Sequence, residues 1–113
     1  MLRGEIWLGV WPNDPQQTPR PLLIVSNNLR NQAPKLLDTV VVKLTSLENS
    51  KGQIKPTNPS EDVIITLKKP TIVRCASIFT VEKTYLTKKL TQISLFDMEK
   101  VDSCLKTVLD LNY

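Results

Sequence analysis

The sequence predicts a mainly β protein with a C-terminal helix, in which a small, strongly bent antiparallel sheet or barrel packs against that helix. Apolar runs typical of strands recur between residues 4 and 81, separated by segments rich in proline and turn-forming residues. After residue 93 the apolar spacing changes to that of an amphipathic helix. The chain has 113 residues, which suits a single domain, 1–113, with one modest core.

The strands follow from alternation or from continuous apolar runs bounded by turn residues. They are expected at residues 4–10, 21–26, 39–46, 62–67 and 71–81. The connections are expected to be a proline-rich loop at 11–19, a turn or short helical piece at 27–38, a long mobile loop at 46–60 and a hairpin connection at 68–70. In the helical segment 94–113, Ser94 and Asp97 have the spacing of a capping box, which predicts that the helix begins there.

Composition excludes several kinds of chemistry. The chain contains no histidine, so triads and zinc centres that need imidazole are ruled out. Cys75 and Cys104 are far apart in sequence and have no ligand-like neighbours, which predicts buried, reduced thiols. The formal charge of +4 permits an anionic partner. No apolar run is long enough to cross a bilayer and no secretion signal is evident, so we expect a soluble, cytoplasmic protein.

Arg20 is the most informative single residue, because it stands between Pro19 and Pro21 immediately before an apolar strand. Proline restricts its own backbone and that of the residue before it, so this segment is expected to be stiff and extended. A guanidinium held in this way loses little entropy when it binds a phosphate through two hydrogen bonds. The simpler alternative is an arginine at a strand edge that makes a surface ion pair.

Further candidate side chains lie on the predicted strands. Thr45 and Ser46 end the third strand, where hydroxyls commonly satisfy backbone groups. Glu5 and Trp7 share one face of the first strand, and an exposed tryptophan beside polar groups suits stacking on a nucleic-acid base. The alternative is a tryptophan that covers the edge of the core. Arg74 offers a second cation on a strand, although a lone strand arginine is usually solvated.

These features occur in an order that closely resembles the MazF/PemK family of toxin endoribonucleases. The segments that carry the resemblance are RGEIWL at 3–8, RPLLIVSN at 20–27, VVVKLTS at 40–46, VRC at 73–75 and TVEKTYL at 80–86. The resemblance runs from Arg3 to the C-terminal helix. It implies an SH3-like barrel of the CcdB/PemK toxin type, which agrees with the predicted strands followed by a helix.

The resemblance implies the toxin of a type II toxin–antitoxin system. Such a toxin would act as a homodimer, cut single-stranded RNA (mRNA) at short sequences to inhibit translation and growth, and be silenced by the disordered C-terminal segment of a MazE/PemI-like antitoxin. It would need no metal or cofactor and no membrane. The resemblance further implies that Arg20 and Thr45 are catalytic. The expected substrate-binding residues are Glu5, Trp7, Lys43, Ser46, Arg74 and Ser77.

The chain departs from the family pattern in two places. Members with V-R-C usually continue D-Q-x-R-T, in some of which the aspartate is a proposed general base. Here Ala76, Ser77 and Phe79 replace the aspartate, the glutamine and the arginine. Before Arg20 the chain reads NDPQQTP, where many members carry a Gly-Ser-Glu-Gln-like segment. The general base is therefore unassigned, and Glu5 is the only carboxylate that analogy places near the site.

RNA carries its own nucleophile, the 2′-hydroxyl, so a protein need only position it and stabilise the charge that grows on phosphorus. The expected products are a 2′,3′-cyclic phosphate and a 5′-hydroxyl. Two alternatives stay open at this point. One is a non-catalytic toxin of the same fold that poisons DNA gyrase by protein contact. The other is a degenerate toxin that binds antitoxin but cleaves weakly, as the loss of polar groups at Ala76 and Phe79 suggests.

Overall fold

The computed structural model describes residues 1–112. Tyr113, the last residue of the predicted domain and of the predicted helical segment, lies outside the described residues. The strands are β1 (Glu5–Gly9), β2 (Arg20–Ile24), β3 (Asp38–Ser46), β4 (Asp62–Thr66), β5 (Pro70–Glu82) and β6 (Lys88–Gln92). The α-helices are α1 (Asn28–Gln32) and α2 (Leu95–Leu109), and a single 3₁₀ turn spans Lys83–Tyr85.

All six strands form one antiparallel sheet in the order β4-β5-β3-β2-β1-β6. The sheet curls into a half-barrel, and α2 packs against it. The predicted fold class, a mainly β barrel-like sheet with a C-terminal helix, is therefore confirmed. The hairpin connection between β4 and β5 is also confirmed, because the two strands pair from Thr66 and Pro70 onwards.

The core occupies both faces of the sheet, because successive side chains of a strand point in opposite directions. One face packs against α2 through Met98, Val101 and Cys104. The opposite face carries a second apolar cluster, formed by Leu22, Ile24, Val41, Val81 and Leu86, which Trp7 and Trp11 partly cover. Burial on both faces explains why β2 and β3 read as continuous apolar runs rather than as strict alternation.

Helix α2 begins where the capping spacing predicts. The Ser94 hydroxyl accepts a hydrogen bond from the backbone N–H of Asp97 at 3.1 Å, which satisfies one of the free donors of the first turn. The helix ends at Asp110, which adopts a left-handed conformation with φ 56°. No helix among residues 1–112 is long and apolar enough to span a bilayer.

Strand β6 was not predicted. All five of its residues are exposed, so the segment shows no apolar alternation, and two of them, Lys88 and Lys89, are lysines. Exposed lysines are typical of edge strands, where they discourage pairing with another chain. β6 forms through its backbone pairing with β1, which the sequence pattern does not report.

The predicted loop at 46–60 is present, but its first half is folded back onto the end of β3. Glu48 and Ile54 form an isolated antiparallel bridge, and the Lys55 N–H donates to the Leu47 carbonyl at 2.8 Å. The long loop therefore holds Lys55 at a defined place beside the sheet.

The two thiols are buried and unbridged, as predicted. Cys75 lies on β5 and Cys104 on α2, in the core between the sheet and the helix. Burial raises the pKa of the Cys75 thiol to about 12. Such a thiol stays protonated and unreactive at neutral pH.

Candidate functional site

Strand register brings the candidate residues of the sequence together on one face of the sheet. β2 and β3 pair Leu22 with Lys43, and Arg20 and Thr45 each lie two residues beyond this last pair on their own strand. β3 and β5 pair Lys43 with Arg74. Because paired residues of antiparallel strands point to the same face, these side chains share one surface with Trp7, whose partner on β2 is Leu22. Residues 20, 45 and 74, far apart in sequence, thus become neighbours.

A groove of about 1290 Å³ lies between the two edges of the sheet. Arg20, Thr45 and Ser46 line it, together with residues of β6 and of the β4–β5 hairpin. The basic residues that line it are Arg20, Lys55, Lys68, Lys69, Lys88 and Lys89, and the acidic ones are Glu48 and Asp97. The groove is therefore positively charged and suits a polyanion.

The indole ring of Trp11 lies against two cations of this face. The guanidinium carbon of Arg20 is 4.8 Å from the ring centroid, and the Lys43 Nζ is 3.8 Å from it. Such cation–π contacts stabilise charges that are held away from water. The Asp14 carboxylate orders the β1–β2 loop behind Trp11 by accepting hydrogen bonds from the backbone of Gln16 and Thr18.

Two polar atoms beside this ring are unsatisfied. Within residues 1–112, the buried Nε of Arg20 and the buried Nε1 of Trp11 have no hydrogen-bond partner. Buried polar groups in folded proteins are nearly always hydrogen-bonded. Because both atoms are buried, an acceptor from outside the chain would reach them only after the two side chains had moved.

Lys43 lies among several other positively charged side chains on this face of the sheet. Burial lowers the pKa of its ammonium, and the neighbouring positive charges lower that pKa further. These charges belong to Arg74, Arg20 and Lys55. Cations that repel one another in this way favour an anion among them, because the anion relieves the repulsion.

Thr45 is contacted from the β3–β4 loop. Lys55 Nζ donates a hydrogen bond to Thr45 Oγ1 at 2.7 Å, and both side chains line the groove. The hydroxyl at the end of β3 therefore has a side-chain partner rather than serving the backbone, which was the alternative interpretation of its position.

Glu5 is buried and bound within the chain. Its Oε1 accepts hydrogen bonds from the Leu2 N–H and the Trp7 indole N–H, both at 2.9 Å, and its Oε2 pairs with Lys89 Nζ at 3.0 Å. Burial alone would raise the pKa of Glu5, but these three partners outweigh it and hold the pKa below its ordinary value. The carboxylate is therefore ionised at neutral pH and ties together the N-terminus, β1 and β6.

The remaining predicted site residues lie in different surroundings. Trp7 is half-buried against the second apolar cluster, and Ser46 lines the groove. Arg74 Nη1 pairs with Asp62 at 2.9 Å and also donates to the Pro56 carbonyl at 3.3 Å. Ser77 lies in β5 where the register with β3 shifts, and it does not line the groove.

Sequence reasoning missed two residues of this face. Trp11 was assigned to a loop, and nothing in the local pattern shows that the loop folds back over Arg20 and Lys43. Lys55 did carry a signal: it precedes Pro56, the same cation–proline order as Arg20–Pro21, which restricts the backbone of the cation.

The arrangement suits binding and stabilising a phosphate. Guanidinium, ammonium and hydroxyl donors converge at the ends of β2 and β3. Donors preorganised around a growing negative charge are the main source of catalysis in reactions at phosphorus. Among residues 1–112, no group of three cysteine or carboxylate side chains is placed to hold a metal ion.

Solved structures share this fold over nearly the whole chain. An endoribonuclease from a mycobacterial species, in complex with its cognate antitoxin, has a TM-score of 0.79 and 28% identity, with coverage of 100% of this chain and 98% of that one. A second mycobacterial endoribonuclease has a TM-score of 0.77 and 28% identity, with 100% and 94% coverage. A MazE–MazF complex from Deinococcus radiodurans, at 14% identity, TM-score 0.75 and 99% and 97% coverage, is similar in fold alone.

The fold is thus that of the MazF-type toxins. A model of the family described as the PemK-like, MazF-like toxin of type II toxin–antitoxin systems matches residues 2–109. The chain belongs to this family and is the toxin component of such a system. A search of curated protein sequences found no match.

Proposed function

We propose that this toxin is a sequence-specific endoribonuclease that cleaves single-stranded RNA, mRNA in particular, in the cytoplasm without a metal ion, and so inhibits translation and growth. One observation carries the proposal: Arg20 and Thr45, from the neighbouring strands β2 and β3, line the same positively charged groove. A strand of RNA carries one phosphate per nucleotide, so a basic groove of this size suits it. The two mycobacterial relatives of 28% identity are endoribonucleases, which supports the same activity here.

In the proposed reaction the RNA 2′-hydroxyl loses its proton to water and its oxygen attacks the adjacent phosphorus. The bond from phosphorus to the 5′-oxygen breaks, and the 5′-oxygen takes a proton from water. The products are a 2′,3′-cyclic phosphate and a 5′-hydroxyl. Negative charge grows on the two non-bridging oxygens, and Arg20 donates its fork of N–H groups to them. Thr45 donates a hydrogen bond from its hydroxyl group to the same phosphate. This role is supported by the place of Arg20 in the groove, where it forms no ion pair with any of residues 1–112.

We do not assign the general base to Glu5. All of the contacts described above hold its carboxylate within the chain, and its lowered pKa makes it a weak proton acceptor. RNA contact by Glu5 would compete with its pair to Lys89. We propose instead that electrostatic stabilisation by Arg20, rather than proton abstraction, supplies most of the rate.

The remaining proposed RNA contacts are Trp7, Lys43, Ser46, Arg74 and Ser77. Lys43 and Arg74 are supported by their pairing across β3 and β5 on the face of Arg20. Ser46 is supported by its place in the groove. Ser77 has the weakest support, since it neither lines the groove nor pairs with a residue of β3.

We also propose that a cognate antitoxin binds and silences this toxin through its disordered C-terminal segment, and that the toxin is a homodimer. The mycobacterial relative solved with its cognate antitoxin supports the first part. Light scattering on the purified protein at micromolar concentration tests the second part, and a monomer under those conditions would contradict it.

The decisive experiment incubates the purified toxin with a long single-stranded RNA in EDTA and sequences the new 5′ ends. We expect cleavage at a recurring short sequence, with 5′-hydroxyl ends that polynucleotide kinase labels without prior phosphatase treatment. Cleavage that disappears in EDTA and returns with magnesium would contradict the metal-independent reaction. An absence of new ends under both conditions would favour the non-catalytic toxin, which a DNA gyrase supercoiling assay would then test.

A further inference from the structure

Lys55 lies outside every motif that the sequence singled out, yet its side chain reaches Thr45. Its Nζ is 2.7 Å from Thr45 Oγ1, and both residues line the groove with Arg20. Lys55 is half-buried, whereas the neighbouring Lys51 is exposed in the same loop. The contact joins residues ten positions apart across the β3–β4 loop.

The backbone fixes this lysine in place. The N–H of Lys55 donates to the Leu47 carbonyl at 2.8 Å, and the N–H of Asn49 donates to the Gln53 carbonyl at 2.8 Å. Together with the bridge between Glu48 and Ile54, these bonds form a small hairpin at the end of β3. Lys55 is therefore held beside Thr45 by the fold and does not reach it from a free loop.

The hydrogen-bonding capacity of the two groups determines what the contact can do. An ammonium only donates, so the Thr45 oxygen accepts from Lys55 and keeps its own proton for another acceptor. A lysine ammonium has three N–H groups, and one of them serves Thr45. A phosphate oxygen that accepts from the Thr45 hydroxyl would therefore lie next to the ammonium of Lys55.

We propose that Lys55 is a catalytic residue, which with Arg20 forms a two-cation clamp on the phosphate that is cleaved; this rests on the endoribonuclease function proposed above. Arg20 reaches that phosphate from β2 and Lys55 from the β3–β4 loop. As the 2′-oxygen bonds to phosphorus and the bond to the 5′-oxygen lengthens, negative charge accumulates on the non-bridging oxygens. A fixed cation stabilises this state more than the starting phosphate, so Lys55 acts on kcat more than on binding.

The test uses a short RNA that contains the cut sequence found for the wild-type toxin, under single-turnover conditions with excess protein. Lys55→Gln keeps a hydrogen-bond donor and removes the charge, and we expect its rate to fall about 30-fold or more. Lys55→Arg keeps the charge and should stay within about fivefold of wild type. Lys51→Gln, the control from the same loop, should stay within about twofold.

Two further measurements separate a catalytic role from a structural or binding role. The affinity for the same RNA with a 2′-deoxy nucleotide at the cut position should weaken much less than the rate in Lys55→Gln. The ratio of rates on phosphate and phosphorothioate substrates should also change in Lys55→Gln, and this ratio does not depend on the amount of folded protein. Replacing a non-bridging oxygen matters less when one of its cationic partners is gone.

The outcomes are distinguishable. A wild-type toxin that makes no new 5′ ends contradicts the endoribonuclease function itself. If the wild type cleaves, then a Lys55→Gln rate within threefold of wild type, an equal loss in rate and affinity, or an unchanged phosphorothioate ratio would each overturn the role of Lys55.

Discussion

At Arg20, the neighbouring sequence and the packing both restrict a single side chain. The prolines on both sides stiffen its backbone, and the ring of Trp11 lies 4.8 Å from its guanidinium carbon. Gly9, its partner on β1, lets Leu86 pack closely against the sheet there, because a Cβ at this position would meet Leu86 at 2.8 Å. Within the described residues 1–112 the side chain is held without an ion pair, which leaves its charge available for a phosphate.

Arg20→Lys tests whether the planar guanidinium fork is required. Lysine keeps the positive charge but cannot donate two parallel hydrogen bonds or stack in the same way on Trp11. We expect the cleavage rate to fall by about tenfold or more, while the affinity for a 2′-deoxy RNA analogue weakens only modestly. Single-turnover cleavage and fluorescence anisotropy give the two quantities.

Arg30→Lys is the matched control, because Arg30 lies on α1 and does not line the groove. It should cleave at the wild-type rate. Equal losses of rate and affinity in Arg20→Lys would instead identify Arg20 as a binding residue.

Strand β5 contains an irregularity in its pairing with β3 that its sequence pattern does not predict. Its register with β3 shifts between Lys43, which pairs with Arg74, and Val42, which pairs with Ile78. The extra residues of β5 between these pairs form a bulge that contains Ala76. Simple alternation along a strand predicts that residue 76 stands beside Arg74, but a bulge interrupts that alternation.

Ala76→Asp tests whether a carboxylate at the bulge can act as a general base. Alternation in a regular strand predicts a gain of about tenfold in cleavage rate, the lower end for a partly positioned base. Because residue 76 lies in the bulge and Arg74 already pairs with Asp62, we expect a gain of less than about threefold. The measurement is the single-turnover rate from pH 5 to 9, and Ala76→Asn is the control for size and polarity.

A gain of tenfold or more in Ala76→Asp, with a new pH dependence that Ala76→Asn lacks, would show that a base at this position does help. It would also revive the interpretation of the natural protein as a weakly cleaving toxin.

At the scale of the whole molecule, the two faces of the sheet carry different kinds of side chains. The face against α2 carries the apolar core in which the thiols of Cys75 and Cys104 are buried, and the groove borders this core near Asp97 of α2. The other face carries an apolar cluster at one end and the cations around Trp11 at the other. Glu5 links the N-terminal segment to the edge strand β6, since it binds the backbone of Leu2 and the side chain of Lys89.

Glu5→Gln tests whether these contacts of Glu5 stabilise the fold, through the pH dependence of the free energy of unfolding. The pKa of Glu5 in the folded chain lies below its ordinary value of 4.5, so the unfolded chain binds the proton more readily. The stabilisation by Glu5 is therefore fully present above about pH 5 and is lost as the pH falls below 4.5 through the folded pKa. We expect Glu5→Gln to be less stable than wild type by about 1–3 kcal/mol at pH 7.

This difference should shrink as the pH is lowered from 5 to 3, as measured by urea unfolding at each pH. Glu99→Gln, at an exposed position of α2, should follow the wild-type curve. If the difference in the free energy of unfolding between wild type and Glu5→Gln stayed constant across this range, the ionised form of Glu5 would not stabilise the folded state more than the protonated form does.

The sequence by itself determined the local features of this protein. Strands β1 to β5 and helix α2 follow from apolar periodicity, and the start of α2 follows from Ser94, because these signals act between residues close in the chain. Motif order led to the toxin family, which the match over residues 2–109 confirms. Arg20 and Thr45 could be selected from the motifs, and their catalytic role stays a prediction.

Only the tertiary structure decided which of these residues meet. The pairing of β2 with β3 brings Arg20 and Thr45 into one groove, the β1–β2 loop brings Trp11 over Arg20, and the β3–β4 loop brings Lys55 to Thr45. β6 likewise forms by pairing with β1, without an apolar pattern of its own. The physical reason is the same in each case: contacts between distant parts of the chain depend on strand register and loop conformation. Packing of the whole core fixes both of these, and no local pattern records them.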